Sequence, residues 1–194
     1  MCTFAGMSSI PMEKVSAADQ PKNLKSDYSL VWSDEFEGNS LDSSNWNYDI
    51  GGGLWGNNES EYYTDSTKNV SVQDGMLKIT AMQENKGGYQ YTSGRITTEG
   101  KQDFTYGYME ARMKLPNGQG LWPAFWMLGS GSGWPECGEI DIMEHINSEP
   151  TYYGTCHYLQ DGATNVTSLG SQVWNISGYD ASQWHTYAID WTSD

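Results

Sequence analysis

The stretch Trp134-Pro135-Glu136-Cys137-Gly138-Glu139-Ile140-Asp141-Ile142-Met143-Glu144-His145 sets three acids inside an apolar run. Isoleucines alternating with carboxylates read as a strand over Gly138–Glu144. Alternate side chains of a strand share a face, so Glu139 and Asp141 stand together, with Ile140 and Ile142 opposite. Strict alternation would then turn Glu144 away. A β-bulge at Ile142-Met143 returns Glu144 to the acid face, and we expect one there. Taken alone, the pattern also fits three solvated acids on an exposed sheet, or oxygen ligands for calcium.

Outward from this strand the texture stays β-like. Segments rich in β-branched and aromatic residues alternate with Gly, Asn, Asp and Ser clusters. We read strands over Tyr28–Trp32, Asn69–Gln73, Met76–Met82, Thr92–Thr98, Tyr106–Lys114, Ala124–Leu128, Gly138–Glu144, Thr151–Tyr158, Gln172–Ile176 and Trp184–Trp191. Turn signals such as Asp74-Gly75 and Pro116-Asn117-Gly118 separate them. No helical stripe persists over three turns. The pattern predicts an all-β, antiparallel sandwich or barrel. Residues 1–27 read as a polar tail or linker and 28–194 as one domain. A strong strand runs almost to the last residue, so we expect the closing strands to be missing from this chain.

Composition narrows the ligand. The chain has 194 residues, with 25 acids against 10 bases and a formal charge of −15. That balance offers no footprint for phosphate backbones and disfavours anionic lipid, so nucleic acid is not an expected partner. No apolar run is long enough for a membrane span. Nine Trp and thirteen Tyr suit a neutral ligand with flat apolar faces. Cys2, Cys137 and Cys156 are an odd set, which excludes a complete disulfide framework. Two reduced, half-buried cysteines fit better than a Cys137–Cys156 bridge. No basic residue precedes the short apolar start, so we expect no intact signal peptide within this sequence. Asn58, Asn69, Asn165 and Asn175 lie in N-x-S/T sequons, most of which chance explains in so Asn-, Ser- and Thr-rich a chain.

Three carboxylates on one face repel, which raises at least one pKa and lets a protonated and an ionised acid coexist near neutrality. Retaining glycoside hydrolysis needs that pair. Just upstream, Gly120-Leu121-Trp122-Pro123-Ala124-Phe125-Trp126 offers stacking platforms beside the acids. Pro123 makes it an unusual plain core strand. A hairpin around Ser148 would set His157 opposite Glu139. His145 points off the acid face and reads as structural.

Several segments, in order, resemble glycoside hydrolase family 16, in its laminarinase-like branch. Glu139-Ile-Asp-Ile-Met-Glu144 is similar to the bulged form of that family's catalytic signature. Val31–Phe36, Trp55–Thr64, Thr92–Thr97, Gly120–Leu128 and Trp184–Trp191 resemble its other blocks. The resemblance implies a concanavalin-like β-jelly roll of two antiparallel sheets with a concave cleft. It implies Glu139 as nucleophile, Glu144 as acid/base and Asp141 as the assisting acid. Asn58, Arg95, Trp122, Trp126 and His157 would bind sugar. The implied activity is endo-hydrolysis of β-1,3-glucan without a cofactor for the chemistry. A structural calcium is implied at Glu35 and the Gly75 carbonyl, with part of its ligand set outside this chain. The expected partner is a neutral extracellular or cell-surface β-glucan, and the expected state a monomer. A mixed-linkage glucan or algal galactan as substrate, a non-catalytic glucan-binding module, and an inert fragment are the rival readings.

Overall fold

The computed structural model describes residues 2–3, 28–160, 166–174 and 178–193. Its strands are β1 (Cys2–Thr3), β2 (Asn47–Tyr48), β3 (Glu61–Tyr63), β4 (Val70–Gln73), β5 (Met76–Ile79), β6 (Tyr91–Ser93) and β7 (Ile96–Thr97). They continue as β8 (Gly107–Met113), β9 (Ala124–Leu128), β10 (Glu139–Glu144), β11 (Tyr152–Leu159), β12 (Val166–Trp174) and β13 (His185–Trp191). One 3-10 turn, Leu54–Gly56, is the only helical element among the described residues. A seven-stranded antiparallel sheet runs β12-β11-β10-β9-β1-β7-β2. A β8–β13 ribbon and a β4–β5 hairpin are also antiparallel, whereas β3 and β6 pair in parallel.

Alternation explains the layering. On β8, Met109, Ala111 and Met113 face inward, where they join Tyr187 and Ile189 of β13. They pack against Ile140, Ile142 and Met143 of β10 and Phe125 and Met127 of β9. Burying each such side chain is worth about 1.5–3 kcal/mol. A one-residue slip of β10 would expose these residues and drive acids into the core, so the register is strongly specified. Leu41, Trp46, Val70, Val72, Ile79 and Ile96 form a second core. Beside it, buried Asn69 accepts from Thr64 Oγ1 at 2.6 Å and donates to the Thr80 carbonyl at 2.9 Å and to Thr92 Oγ1 at 3.1 Å. Its sequon is therefore structural.

The differences from the sequence-based strands have physical causes. Tyr28–Trp32 forms no strand, because no described strand pairs with it, and Leu30 and Val31 stand 62% and 83% exposed. Thr92–Thr98 divides into β6 and β7 at Gly94, where a Cβ would lie 2.3 Å from Val70 Cγ2. Gln172–Ile176 is the end of a strand that begins at Val166; residues 175 and 176 lie outside the described residues. Asp74-Gly75 turns the β4–β5 hairpin with both residues left-handed, at φ 56° and 70°, as expected for this dipeptide. Cys137 and Cys156 are free, and Cys156 is exposed rather than half-buried.

Candidate active site

The acids ride on β10, between β9 and β11. On β9, Asp141 pairs with Trp126 and Glu144 with Ala124; on β11 they pair with Thr155 and Tyr153. Three steps on β10 therefore match two on each neighbour, which is the bulge expected at Ile142-Met143. Met143 is fully buried and Ile142 nearly so. The extra residue goes into the core, and Glu144 returns to the face of Asp141. Glu139 pairs with His157.

Each acid has one neighbour that holds it. Trp134 Nε1 donates to Glu139 Oε2 at 2.7 Å, and Trp122 Nε1 donates to Glu144 Oε1 at 2.9 Å. His157 Nε2 lies 3.1 Å from Asp141 Oδ2. Burial, followed by the charges of Glu144 and Glu139, pushes Asp141 up to about 8. Burial also raises Glu144, with a smaller push from Glu139; the Trp122 hydrogen bond and His157 oppose it. At neutral pH Asp141 thus holds a proton, which removes its own repulsion with the two outer acids.

Trp126 and Arg95 meet next to this row. The Arg95 guanidinium lies 4.7 Å from the Trp55 ring centroid and 4.9 Å from that of Trp126. Its Nε donates to Asp49 Oδ2 at 2.9 Å. Trp55 sits in a loop where Leu54, Trp55 and Asn58 all have left-handed backbones, at φ 65°, 42° and 58°. Such strain costs about 1–3 kcal/mol per residue and gathers at functional sites. The loop is tied down by Trp55 Nε1 to the Gly51 carbonyl at 3.2 Å and by the Trp55 edge on Tyr63. Asn58 is exposed and makes none of the hydrogen bonds within this cluster. His145 is fully buried, its Nδ1 2.9 Å from the Thr151 carbonyl.

Sequence reasoning missed Trp134 and Asp49 as members of the site, and it placed Trp55 only within the cleft-lining block Trp55–Thr64, without its contact to Arg95. Trp134 reaches Glu139 because the 129–138 loop folds back, with Gly129 N–H bonded to the Gly138 carbonyl at 3.0 Å. Its place in the motif next to Pro135 was the available signal. Glu35 is exposed, and Gly75 lies in the β4–β5 turn. Among the described residues no three His, Cys, Asp or Glu side chains converge on a metal position.

The glycosyl hydrolases family 16 model matches residues 57–194. A beta-glucanase of Rhodothermus marinus is 43% identical over 175 residues, covering 86% of this chain and 60% of that protein. Glucan endo-1,3-beta-glucosidase A1 of Niallia circulans is 37% identical over 217 residues, covering 99% of this chain and 32% of that protein. The chain thus spans less than two thirds of the length of these curated relatives. The laminarinase structure from Rhodothermus marinus superposes with a TM-score of 0.72 at 42% identity, covering 84% of this chain and 68% of the other. That similarity makes the two-layer β architecture a family 16 jelly roll. By the match over most of its length and the identity to these relatives, this chain belongs to glycosyl hydrolases family 16.

Proposed function

We propose that this chain hydrolyses β-1,3-glucosidic bonds within laminarin-type β-glucans and retains the anomeric configuration. The observation that carries the reading is the extra residue in β10, which returns Glu144 to the face of Glu139 and Asp141. The named activities of the relatives, a beta-glucanase and a glucan endo-1,3-beta-glucosidase, support the substrate class.

Ionised Glu139 attacks the anomeric carbon while Glu144 gives its proton to the glycosidic oxygen. The C–O bond breaks and a glycosyl ester forms on Glu139. Glu144, now a carboxylate, takes a proton from water. The water oxygen attacks the same carbon, and the ester bond to Glu139 breaks. Asp141, protonated between them, steadies the nucleophile. Trp122 and Trp126 stack against sugar faces, with Arg95, Asn58 and His157 as polar contacts. Two carboxyl groups and water complete the chemistry without a cofactor. A polymeric neutral glucan places the work outside the cell or on its surface. Residues 28–194 belong to the catalytic domain, which acts as a monomer.

Incubation with laminarin and assay of reducing ends tests this reading. E139A should lower the rate by about four orders of magnitude or more. Sugar release by E139A at the unmodified rate would overturn the nucleophile assignment. Laminarin retarding the unmodified protein in native gels without any hydrolysis would favour a glucan-binding module.

A further inference from the structure

The two indoles hold different oxygens of two different acids. Trp122 Nε1 lies 2.9 Å from Glu144 Oε1, whereas Trp134 Nε1 lies 2.7 Å from Glu139 Oε2. An indole N–H can only donate. In a protonated carboxyl group the carbonyl oxygen is the acceptor, and the other oxygen carries the hydrogen. An N–H fixed on Oε1 therefore makes Oε1 the carbonyl oxygen.

We infer that Trp122 is a positioning residue for Glu144: its N–H occupies Oε1 and confines the transferable proton to Oε2. This rests on the reading of Glu144 as the acid/base. Trp122 is then more than a sugar platform, since the ring that faces solvent, 43% exposed, also orients the acid through its edge. The backbone couples the two residues. Pro123, next to Trp122, accepts through its carbonyl from the N–H of His145, next to Glu144, at 3.0 Å. His145 is itself buried and bonded to the Thr151 carbonyl. One backbone hydrogen bond between their chain neighbours thus ties platform to acid. In the second half of the reaction the same bond leaves Oε2 free to take the proton of the attacking water.

The other groups around Glu144 are few. Its own strand offers Glu139 and Asp141, and β9 has no ionisable side chain. β11 carries Tyr152, Cys156, His157, Tyr158 and Tyr153, whose hydroxyl is given to Glu149. Of the forces named for Glu144, the Trp122 bond and His157 favour the ionised form, while burial and Glu139 oppose it. Removing the N–H should move the acid's titration upward.

The test follows carboxyl carbons of glutamate-labelled protein through a pH titration, with E144Q to assign the Glu144 signal. In W122F the Glu144 midpoint should move to higher pH, with a smaller change in W134F. In the unmodified protein the Trp122 indole N–H resonance should follow the Glu144 midpoint, and E144Q should abolish that response; this measurement needs no variant of Trp122. With laminarin as substrate, the alkaline limb of kcat/KM in W122F should move up with the carboxyl titration. An unmoved Glu144 midpoint in W122F, an equal rise in W134F, or a Trp122 indole signal indifferent to Glu144 would each overturn the inference. Carboxyl shifts as expected without hydrolysis by the unmodified protein would support the Trp122 bond and refute the hydrolase reading.

Discussion

Replacing Asp141 by asparagine separates what the acid cluster costs from what it does. Asp141 is 7% exposed and raised from 3.8 to about 8. In the unfolded chain this carboxyl loses its proton near 3.8; in the folded protein it keeps it to about 8. Between those values the folded state binds one more proton than the unfolded state. Stability therefore falls as pH rises through that window, by about 1.4 kcal/mol per pH unit. Stability is fully present below 3.8 and has dropped by about 4 kcal/mol at pH 7. His157, 3.1 Å away, offsets part of this when it is charged. The amide of D141N has the shape of the protonated acid and no proton to lose. D141N should thus be more stable than the unmodified protein by about 2–4 kcal/mol at pH 7, with the difference vanishing near pH 4. Urea unfolding followed by tryptophan fluorescence at pH 4, 5.5, 7 and 8.5 measures it. Hydrolysis should fall by about a hundredfold, as when the group that positions a nucleophile is altered. Equal stability of the two proteins at pH 7, or the same gain at pH 4, would refute the reasoning.

Further substitutions address the supports of the site. In G129A the new Cβ would sit 1.8 Å from the Cys137 carbonyl oxygen, so the loop bearing Trp134 must shift; a loss of about 2–3 kcal/mol should appear in thermal unfolding. M143A empties a fully buried position behind the bulge, and a loss of about 2–5 kcal/mol should lower its urea midpoint. R95K gives up both indole stacks and the planar fork toward Asp49. A rise of about tenfold in KM with kcat little changed is expected there, and steady-state kinetics on laminarin would show it.

Much of the site was legible because its chemistry contradicts its fold pattern. Acids in an apolar run are costly unless used, and Glu144 could rejoin Glu139 only through a bulge. The cross-strand pairing of Glu139 with His157 followed from a hairpin of the right length. The long alternating strands β8 and β13 were equally visible, because one buried face imposes a period of two. Short elements were not. The pair Asn47–Tyr48 is too brief to alternate, and Glu61–Tyr63 gains its order from a parallel partner thirty positions on. Asp49 and Trp55 entered the site through Arg95, a contact between distant segments that no local spacing encodes. Tyr28–Trp32 had the residues of a strand, but propensity without a pairing partner does not make one.

The account's central claim is that Glu139 and Glu144 act in succession on one anomeric carbon. Proton NMR of the first sugar released from laminarin, recorded before mutarotation, tests it most directly. A newly formed reducing end in the β configuration is the predicted result. The α anomer appearing first would contradict the account, since it requires water rather than Glu139 to have attacked the glycosidic carbon.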